Sequence, residues 1–591
     1  MTTKSTLSPR LQMSDRLSNV LLLLFAGVFI ALTVSSYRQK SATVDEPNHL
    51  AAGYAALKLN DYHINPEHPP LLRMWAALPL LAMRGIDPNT NSVNWLPEER
   101  GLFSHEFLYE KNNADRLLYA ARFMNVLLGV LLGVVLFRWA WALYGPGTAV
   151  VVLALYATEP NVLAHASLVT TDLGVACFIF IGVYFLWRLS QQLTMRNLAL
   201  TAAFFAIAQI SKFSALTLWP ILFALLLIRV AGRSPWPCFG GASLELRSRT
   251  RKTLAAVSIV AAVFLVSFAA VWAAYGFRYA PSPKGSGLER LLTVPSVIER
   301  IPRLARLLNW VDGHHLLPNA CTQGFLLGHG LTQERPAYLL GKISNEGWWY
   351  YFPIAFLIKT PVALLLLFFG GVTLVVGRRD ALADNDAFLL VPVAVYMLIA
   401  MTAVNLNIGV RHILPVYPFV LLIAGKAVAW LWGSHRKILR GGLLALCLFQ
   451  VEEMAFVYPN HLAFFNQFIG GSQNGYKYLA DSNLDWGQDL KPLKKWMDQN
   501  GVPFVNLCYF GSADPAYYGI HCSYLPPPST FATGRDNELR LPGYVAVSVQ
   551  NLLGVSVNPP RPDLYKKLRE AEPVAVMGYS IRVYWVERPW W

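Results

Sequence analysis

Two clusters of ionisable residues lie in the stretch that follows the first apolar run of the chain. Asp45 and Glu46 are adjacent, and Glu67 and His68 follow about twenty residues later in the sequence Glu-His-Pro-Pro. Charged groups at the edge of a bilayer are costly, and they commonly mark a functional site. A carboxylate in such a place can take a proton from a reacting hydroxyl. The spacing therefore predicts a site at one edge of a membrane.

The composition is that of an integral membrane protein. Of 591 residues, 54% are hydrophobic and 14% are charged, whereas soluble proteins carry about 25% charged residues. The net charge of +15 is also compatible with nucleic-acid binding. However, the Lys and Arg residues lie in short loops between apolar runs, which indicates membrane topology. We therefore expect no nucleic-acid partner, and membrane lipids as neighbours.

Long apolar runs predict about eleven membrane-spanning helices, because a span needs about 20 residues. They lie near 19–36, 119–139, 148–165, 173–188, 197–211, 213–230, 254–275, 352–376, 387–404, 411–432 and 438–456. Only Ser211 and Lys212 separate the fifth run from the sixth. These helices form a predicted transmembrane domain over residues 1–456.

Basic loops predict the orientation through the positive-inside rule. The alternate connections that hold basic residues contain Lys4, Arg10, Arg16, Arg138, Arg188, Arg196, Arg229 to Lys252, Arg378, Arg379 and His435 to Arg440. We expect these connections and the N-terminus to be cytoplasmic. The loops 37–118 and 276–350 and the tail would then be extracytoplasmic. The predicted location is the inner (plasma) membrane, with multiple passes.

Residues 457–591 differ in composition and predict a small extracytoplasmic α/β domain. The pattern predicts a helix at Gln488–Gln499, strands at Phe504–Phe510 and Tyr544–Gln550, a helix near Arg561–Ala571 and a strand pair near Pro573–Val586. Cys508 and Cys522 both lie in this tail. In an oxidising compartment they can form a disulfide or remain reduced, and the sequence leaves both open.

Further charged residues stand at the predicted outer ends of the spans. Asp172 begins the fourth span, Lys212 lies at the tip of the fifth–sixth hairpin, and Arg411 and His412 begin the tenth. An anchoring lysine that reaches the interface is the simpler interpretation of Lys212 alone. Together, however, acids and cations on one membrane face indicate a site for a phosphate with a reacting hydroxyl nearby.

These motifs resemble those of the glycosyltransferase-C superfamily. The resemblance rests on Asp45-Glu46, on Glu67-His68-Pro69-Pro70-Leu71, on Thr170-Thr171-Asp172 and on Arg411-His412-Ile413-Leu414-Pro415. It is strongest to bacterial protein O-mannosyltransferase-like enzymes of glycosyltransferase family 39 and to the lipid A aminoarabinose transferase. The tail sequence DSNLDWGQDL, residues 481–490, resembles a phrase in bacterial members of this group.

The resemblance implies transfer of a sugar from a polyprenyl-phosphate donor to a hydroxyl of a protein, lipid or glycan acceptor, with inversion. It places Asp45 as the general base, with Glu46 tuning it or binding acceptor. Arg411, His412 and Lys212 would bind the lipid phosphate, and Asp172 and Glu67 would orient sugar hydroxyls or cations. His68 is a further candidate for binding the lipid phosphate. Relatives tend to have Lys at this position, and if His68 contacts the phosphate, its charge would depend on local pH.

Other functions and ligands stay open at this stage. A transporter or flippase of lipid-linked sugar is one alternative, and an oligosaccharyltransferase or O-antigen-ligase type of enzyme is another. We expect no required cofactor and no metal site, although a divalent cation stays open. Asp312, His314 and His315 match no standard metal spacing, and the Asp481–Asp485 stretch lacks the Gly and Glu of a calcium loop.

Overall fold

The computed structural model describes residues 14–96, 99–238, 245–283, 299–333, 335–377, 385–403, 405–434, 436–527, 536–556 and 563–590. Several residues named above lie outside these ranges: Lys4, Arg10, Arg378, Arg379, His435 and Arg561. Parts of the Arg229–Lys252 connection and of the 276–350 loop lie outside them as well.

The chain is a multi-pass membrane protein built from apolar helices. Six of the described helices are long and apolar enough to cross a bilayer: Asp15–Tyr37, Ala114–Tyr144, Asp172–Gln191, Phe213–Ala231, Arg249–Ala274 and Val410–Gly433. Two helix pairs are bent at a short break. Pro146–Ala157 and Pro160–Ala166 meet at 64°, and Tyr351–Lys359 and Val362–Val376 meet at 118°. Counting each pair as one span gives eight.

The expectation of about eleven spans is therefore corrected to six to eight. Each predicted run contains helix over its described residues, but Met195–Gln209 and Ala387–Thr402 have only 15 and 16 residues. At 1.5 Å per residue, such helices reach about 24 Å, less than a bilayer core of about 30 Å. The helix Lys437–Val457 is longer. However, it carries charged residues near both ends and is therefore not among the helices apolar enough to cross a bilayer.

The two large loops fold into short elements over the described residues. The first holds the helices Glu46–Leu59, Leu71–Ala77 and Arg100–His105, with a 3-10 turn at Leu78–Ala82 and a π-helical turn at Glu106–Glu110. The second holds the helices Pro302–Gly313 and Asn319–Leu331 and the hairpin Ala337–Leu339/Lys342–Ser344. Another short strand pair joins Trp236–Pro237 to Glu245–Leu246.

The tail forms a five-stranded mixed sheet, which confirms the predicted α/β fold. The strand order is Cys522–Tyr524, Val505–Cys508, Gly543–Ser548, Ile581–Val586 and Ala575–Met577. The first three strands are parallel to one another. Ile581–Val586 pairs antiparallel with both of its neighbours, Gly543–Ser548 and Ala575–Met577. The helices of this part are Leu490–Gln499, Val549–Leu552 and Lys566–Glu570. The boundary at 456/457 stays a prediction.

The sheet register separates the two tail cysteines. Cys522 pairs with Val505 on the neighbouring parallel strand, so Cys508 lies about 10 Å further along, at about 3.3 Å per residue. No disulfide joins them. Of the two alternatives that the sequence left open, the structure has the reduced one.

The segment of residues 481–489 joins the tail to the membrane helices. Ser41 N donates to Gln488 O at 2.9 Å, and Val44 N donates to Trp486 O at 3.0 Å. Lys40 Nζ forms an ion pair with Asp489 at 2.5 Å. The 481–489 segment therefore packs directly beside the residues that precede Asp45.

Candidate active site

A cavity of about 590 Å³ lies where several helix ends meet. Its polar lining includes Asp45, Asn48, His49, Asn65, Glu67, His68, Arg100, Lys212, His329, Arg335, Arg411 and His412. Its apolar lining includes Phe213, Leu216, Phe325, Leu331, Phe352, Ile399, Leu406 and Ile408. A cavity that combines charged and apolar walls suits an amphipathic ligand.

Four of the predicted site residues form one chain of ion pairs. Arg411 Nη1 lies 3.2 Å from Asp45 Oδ2 and 3.3 Å from Asp172 Oδ2. Lys212 Nζ lies 2.5 Å from Asp172 Oδ1. The order is therefore Asp45, Arg411, Asp172 and Lys212. The sequence analysis assigned these residues to one membrane face but did not predict how they pair.

Local structure places each of these side chains at a helix end. Asp45 precedes the helix Glu46–Leu59, and its side chain makes no capping bond, so its carboxylate is available to Arg411. Asp172 is the first residue of its helix, where the helix dipole favours an anion. Lys212 lies between two helical segments, and Arg411 lies in the 3-10 turn Val410–Val416.

Asp172 binds the two cations and does not line the cavity. Its side chain is 1% exposed, it is not part of the cavity lining, and its two oxygens contact Lys212 and Arg411. Of the two roles that the resemblance implied for Asp172, this placement favours orienting cations.

The Arg411 guanidinium is held on three sides. Nε donates to Ser482 Oγ at 3.0 Å, Nη1 contacts the two aspartates, and the guanidinium carbon lies 4.1 Å from the centre of the Trp486 ring. Among the described residues, Nη2 makes no hydrogen bond. Because Arg411 lines the cavity, Nη2 is the group that remains for an anionic ligand.

Glu46 lies outside the cavity. It is fully buried and pairs with Arg122, with Nη2 to Oε2 at 2.6 Å and Nε to Oε1 at 2.8 Å. Thr43 N and Val169 N also donate to its carboxylate. Burial alone would raise the pKa of Glu46, but the Arg122 charge and these hydrogen bonds lower it below its usual value. This placement argues against the predicted catalytic or acceptor-binding role of Glu46.

Two histidines lie together beside Asp45. The rings of His49 and His68 are 4.7 Å apart, and Asn65 Nδ2 lies 3.3 Å from His49 Nδ1. Burial lowers the pKa of His49 to about 4. Burial, His49 and Lys212 lower the pKa of His68 well below its usual range. Burial thus disfavours the charged form of both rings. The dependence of the His68 charge on local pH, which assumed contact with a phosphate, stays a prediction.

Glu67 pairs with Arg100 at 2.6 Å at the rim of the cavity. The close approach of Gly324 to Pro66 O fixes this loop, since a Cβ at residue 324 would overlap that carbonyl. His412 lines the cavity, and its Nε2 is buried without a hydrogen-bond partner among the described residues. His412 can therefore contact a ligand there.

The residues weighed as metal ligands are used otherwise. Over the described ranges, no group of three His, Cys, Asp or Glu side chains could hold a metal ion. Asp312 accepts hydrogen bonds from Asn319, Thr322 and Gln323. Burial raises the pKa of Asp485 to about 8, and this carboxyl accepts from Gly487 N and Gln550 N. A neutral carboxyl is a poor ligand for a hard cation.

Sequence reasoning missed several residues of the site. His49 follows Asp45 by one helical turn, and this i, i+4 spacing could have placed both on one face. Ser482 and Trp486 lie about 70 residues after Arg411 along the chain, and no local pattern connects them to it. The resemblance of residues 481–490 to other bacterial sequences was the only signal that pointed to them.

Comparisons with solved structures find matches at low identity and low TM-score. The oligosaccharyltransferase of Archaeoglobus fulgidus in its apo form has a TM-score of 0.43 and 13% identity, covering 76% of this chain and 56% of its own. ArnT of Cupriavidus metallidurans in the apo state has a TM-score of 0.33 and 12% identity, covering 96% and 98%. The archaeal oligosaccharyltransferase AglB of Archaeoglobus fulgidus, in complex with an inhibitory peptide and a dolichol-phosphate, has a TM-score of 0.45 and 11% identity. This match covers 91% of this chain and 70% of AglB. This chain thus spans little more than half of the first of these proteins.

The sequence comparison is more specific. No curated protein matches the chain, but residues 115–247 match the family model described as dolichyl-phosphate-mannose-protein mannosyltransferase. This stretch contains Asp172 and Lys212, two members of the ion-pair chain. Residues 115–247 are thus similar to this mannosyltransferase family, which confirms the resemblance found in the sequence.

Proposed function

We propose that this protein is a membrane glycosyltransferase that moves a sugar from a polyprenyl-phosphate donor to an acceptor hydroxyl. The observation that carries the proposal is the chain Asp45–Arg411–Asp172–Lys212 at a cavity with both charged and apolar walls. The family match over residues 115–247 supports it.

The cations bind the donor phosphate in this proposal. Arg411 offers Nη2, and Lys212 lines the same cavity with its ammonium. Hydrogen bonds between ionised partners are about twice as strong as neutral ones. When the bond between the anomeric carbon and the phosphate oxygen breaks, the electron pair stays on that oxygen. Fixed cations near it stabilise the developing charge. His412 and His68 are further candidates for binding the phosphate, because one ring nitrogen of each has no hydrogen-bond partner among the described residues.

Asp45 acts as the general base. Asp45 lines the cavity beside Arg411. Although Asp45 is the N-cap residue of the helix Glu46–Leu59, its carboxylate makes no capping hydrogen bond. It takes the proton of the acceptor hydroxyl while the acceptor oxygen forms a bond to the anomeric carbon. A single displacement of this kind inverts the anomeric centre. General-base catalysis contributes about 10²- to 10⁴-fold in rate.

The remaining assignments follow from the same scheme. Glu67, which forms an ion pair with Arg100, orients sugar hydroxyls in this proposal. The acceptor is a protein, lipid or glycan on the extracytoplasmic face, since the basic loops predict that face for Asp45. The reaction as written needs no cofactor, and transfer in the presence of a chelator tests that expectation.

The test is transfer by membranes that contain either the wild type or Asp45→Asn, given a panel of labelled polyprenyl-phosphate sugars. We expect the wild type to transfer at least one sugar and Asp45→Asn to be slower by about 10²-fold or more. Asp115→Asn is the matched control, because Asp115 also lies at a helix start but pairs with Lys491 away from the cavity.

Each outcome has a fixed meaning. Wild-type rates in Asp45→Asn would refute the general-base assignment. No transfer by the wild type across the panel would refute the proposed donor. Movement of the labelled lipid across the membrane without transfer would favour the transporter alternative, and transfer only from oligosaccharide donors would favour the oligosaccharyltransferase type.

A further inference from the structure

The 481–489 segment contacts Arg411 and the residue that precedes Asp45. Ser482 Oγ accepts from Arg411 Nε at 3.0 Å and donates to Ile408 O at 2.9 Å. The Trp486 ring lies under the Arg411 guanidinium at 4.1 Å. Trp486 O accepts from Val44 N, the residue next to Asp45, at 3.0 Å. One short segment of the tail thus holds both Arg411 and the backbone next to Asp45.

The segment is itself firmly anchored. Asn483 Oδ1 accepts from Val410 N at 2.9 Å, and Asn483 O accepts from the buried Lys359 Nζ at 2.6 Å. Ser482 is fully buried and Trp486 is 2% exposed. Side chains that are packed and hydrogen-bonded in this way hold a neighbouring group in one geometry.

We infer that Ser482 and Trp486 are positioning residues that set Arg411 toward the donor phosphate, so that the C-terminal part of the chain is a component of the active site. Arg411 has a flexible side chain, and two aspartates compete for its Nη1. Ser482 fixes Nε, and Trp486 fixes the plane of the guanidinium. As a result Nη2 stays at the cavity. This inference rests on the proposed function, because it assumes that Arg411 binds phosphate.

The experiment measures binding of labelled undecaprenyl phosphate to the purified full-length protein in nanodiscs, with undecaprenol as the probe that lacks the phosphate. We expect Trp486→Leu to weaken binding of the phosphate probe about two- to thirtyfold, the range from exposed to desolvated cation–π contacts. Ser482→Ala removes a hydrogen bond to a charged group and should weaken it about tenfold. Trp486→Phe, which keeps an aromatic face, should stay near the wild type. Undecaprenol binding should be unchanged in all three.

A double-mutant cycle separates positioning from folding. If Trp486 acts through Arg411, Trp486→Leu should cost nothing further in an Arg411→Ala background. Tyr565→Leu is the matched control, because Tyr565 is a buried aromatic residue of the same part of the chain. It should leave the preference for the phosphate probe intact.

The possible failures are distinguishable. If the wild type binds undecaprenyl phosphate no better than undecaprenol, the proposed function fails. If the wild type prefers the phosphate and Arg411→Ala abolishes that preference, while Ser482→Ala and Trp486→Leu keep it, the positioning inference fails and the function stands. Additive losses in the cycle would also overturn the inference.

Discussion

Replacing Glu46 by Gln tests whether this residue is part of the chemistry or part of the fold. The adjacent acids Asp45 and Glu46 are equivalent in the sequence, but only Asp45 lines the cavity. Glu46 and Arg122 are both 0% exposed and share two hydrogen bonds. Glu46→Gln keeps the size of the side chain and removes its charge.

The expected loss is one of stability. Removing one partner of a buried ion pair costs about 3–5 kcal/mol, because the other charge is left buried and unpaired. Here Arg122 loses its counter-ion and keeps the carbonyl oxygens of Tyr37, Lys40 and Ser41 together with at most the one oxygen of the new amide. The side-chain amide nitrogen that the substitution introduces would also face at least one of the backbone N–H groups that now donate to the carboxylate.

The assay compares the thermal midpoint in detergent with the transfer rate per folded molecule. Glu46→Gln should lower the midpoint and the yield, while the folded fraction transfers sugar at a rate near that of the wild type. Asp45→Asn should show the reverse, a normal midpoint with little transfer. A Glu46→Gln protein with wild-type stability and no transfer would refute this reasoning and restore the catalytic role that the resemblance implied.

Two further predictions concern the cavity. His49 stays neutral in the folded protein down to about pH 4, whereas an unfolded histidine gains a proton below about pH 6.5. The free energy of unfolding of the wild type therefore falls as the pH drops through this range. In His49→Gln this fall should be smaller, by up to about 3 kcal/mol. An equal fall in the two proteins would contradict the prediction. Gly409→Ala should weaken binding of undecaprenyl phosphate severalfold, because its Cβ would overlap Ser482 Oγ, whereas Gly441→Ala has open space and should not; equal affinities in the two variants would contradict the Ser482 contact.

Membrane geometry explains why much of the site was predictable. The ends of spanning helices are confined to two levels, so Asp172, Lys212 and Arg411 could be assigned to one face from the apolar runs and basic loops alone. The structure brings these three together with Asp45. The pairing order and the distances depend on side-chain packing, which hydropathy does not report.

Other features were out of reach for local patterns. Adjacent residues at a helix start point in different directions, and the sequence alone does not decide which of Asp45 and Glu46 faces the cavity. The span count was too high because hydropathy does not fix where a helix ends, and the runs 197–211 and 387–404 form helices of only 15 and 16 residues. The contact of Arg411 with Ser482 and Trp486 joins distant parts of the chain, and only the folded structure shows it.

The path of the 481–489 segment also limits how this protein can be divided. A cut at 456/457, where the composition changes, would separate Arg411 from Ser482 and Trp486, and Val44 from its backbone partner. The tail is therefore unsuited to exchange between relatives as an independent module. A functional chimera must transfer the tail together with the stretch before Asp45 and the turn that carries Arg411, since these surfaces fit one another as a set.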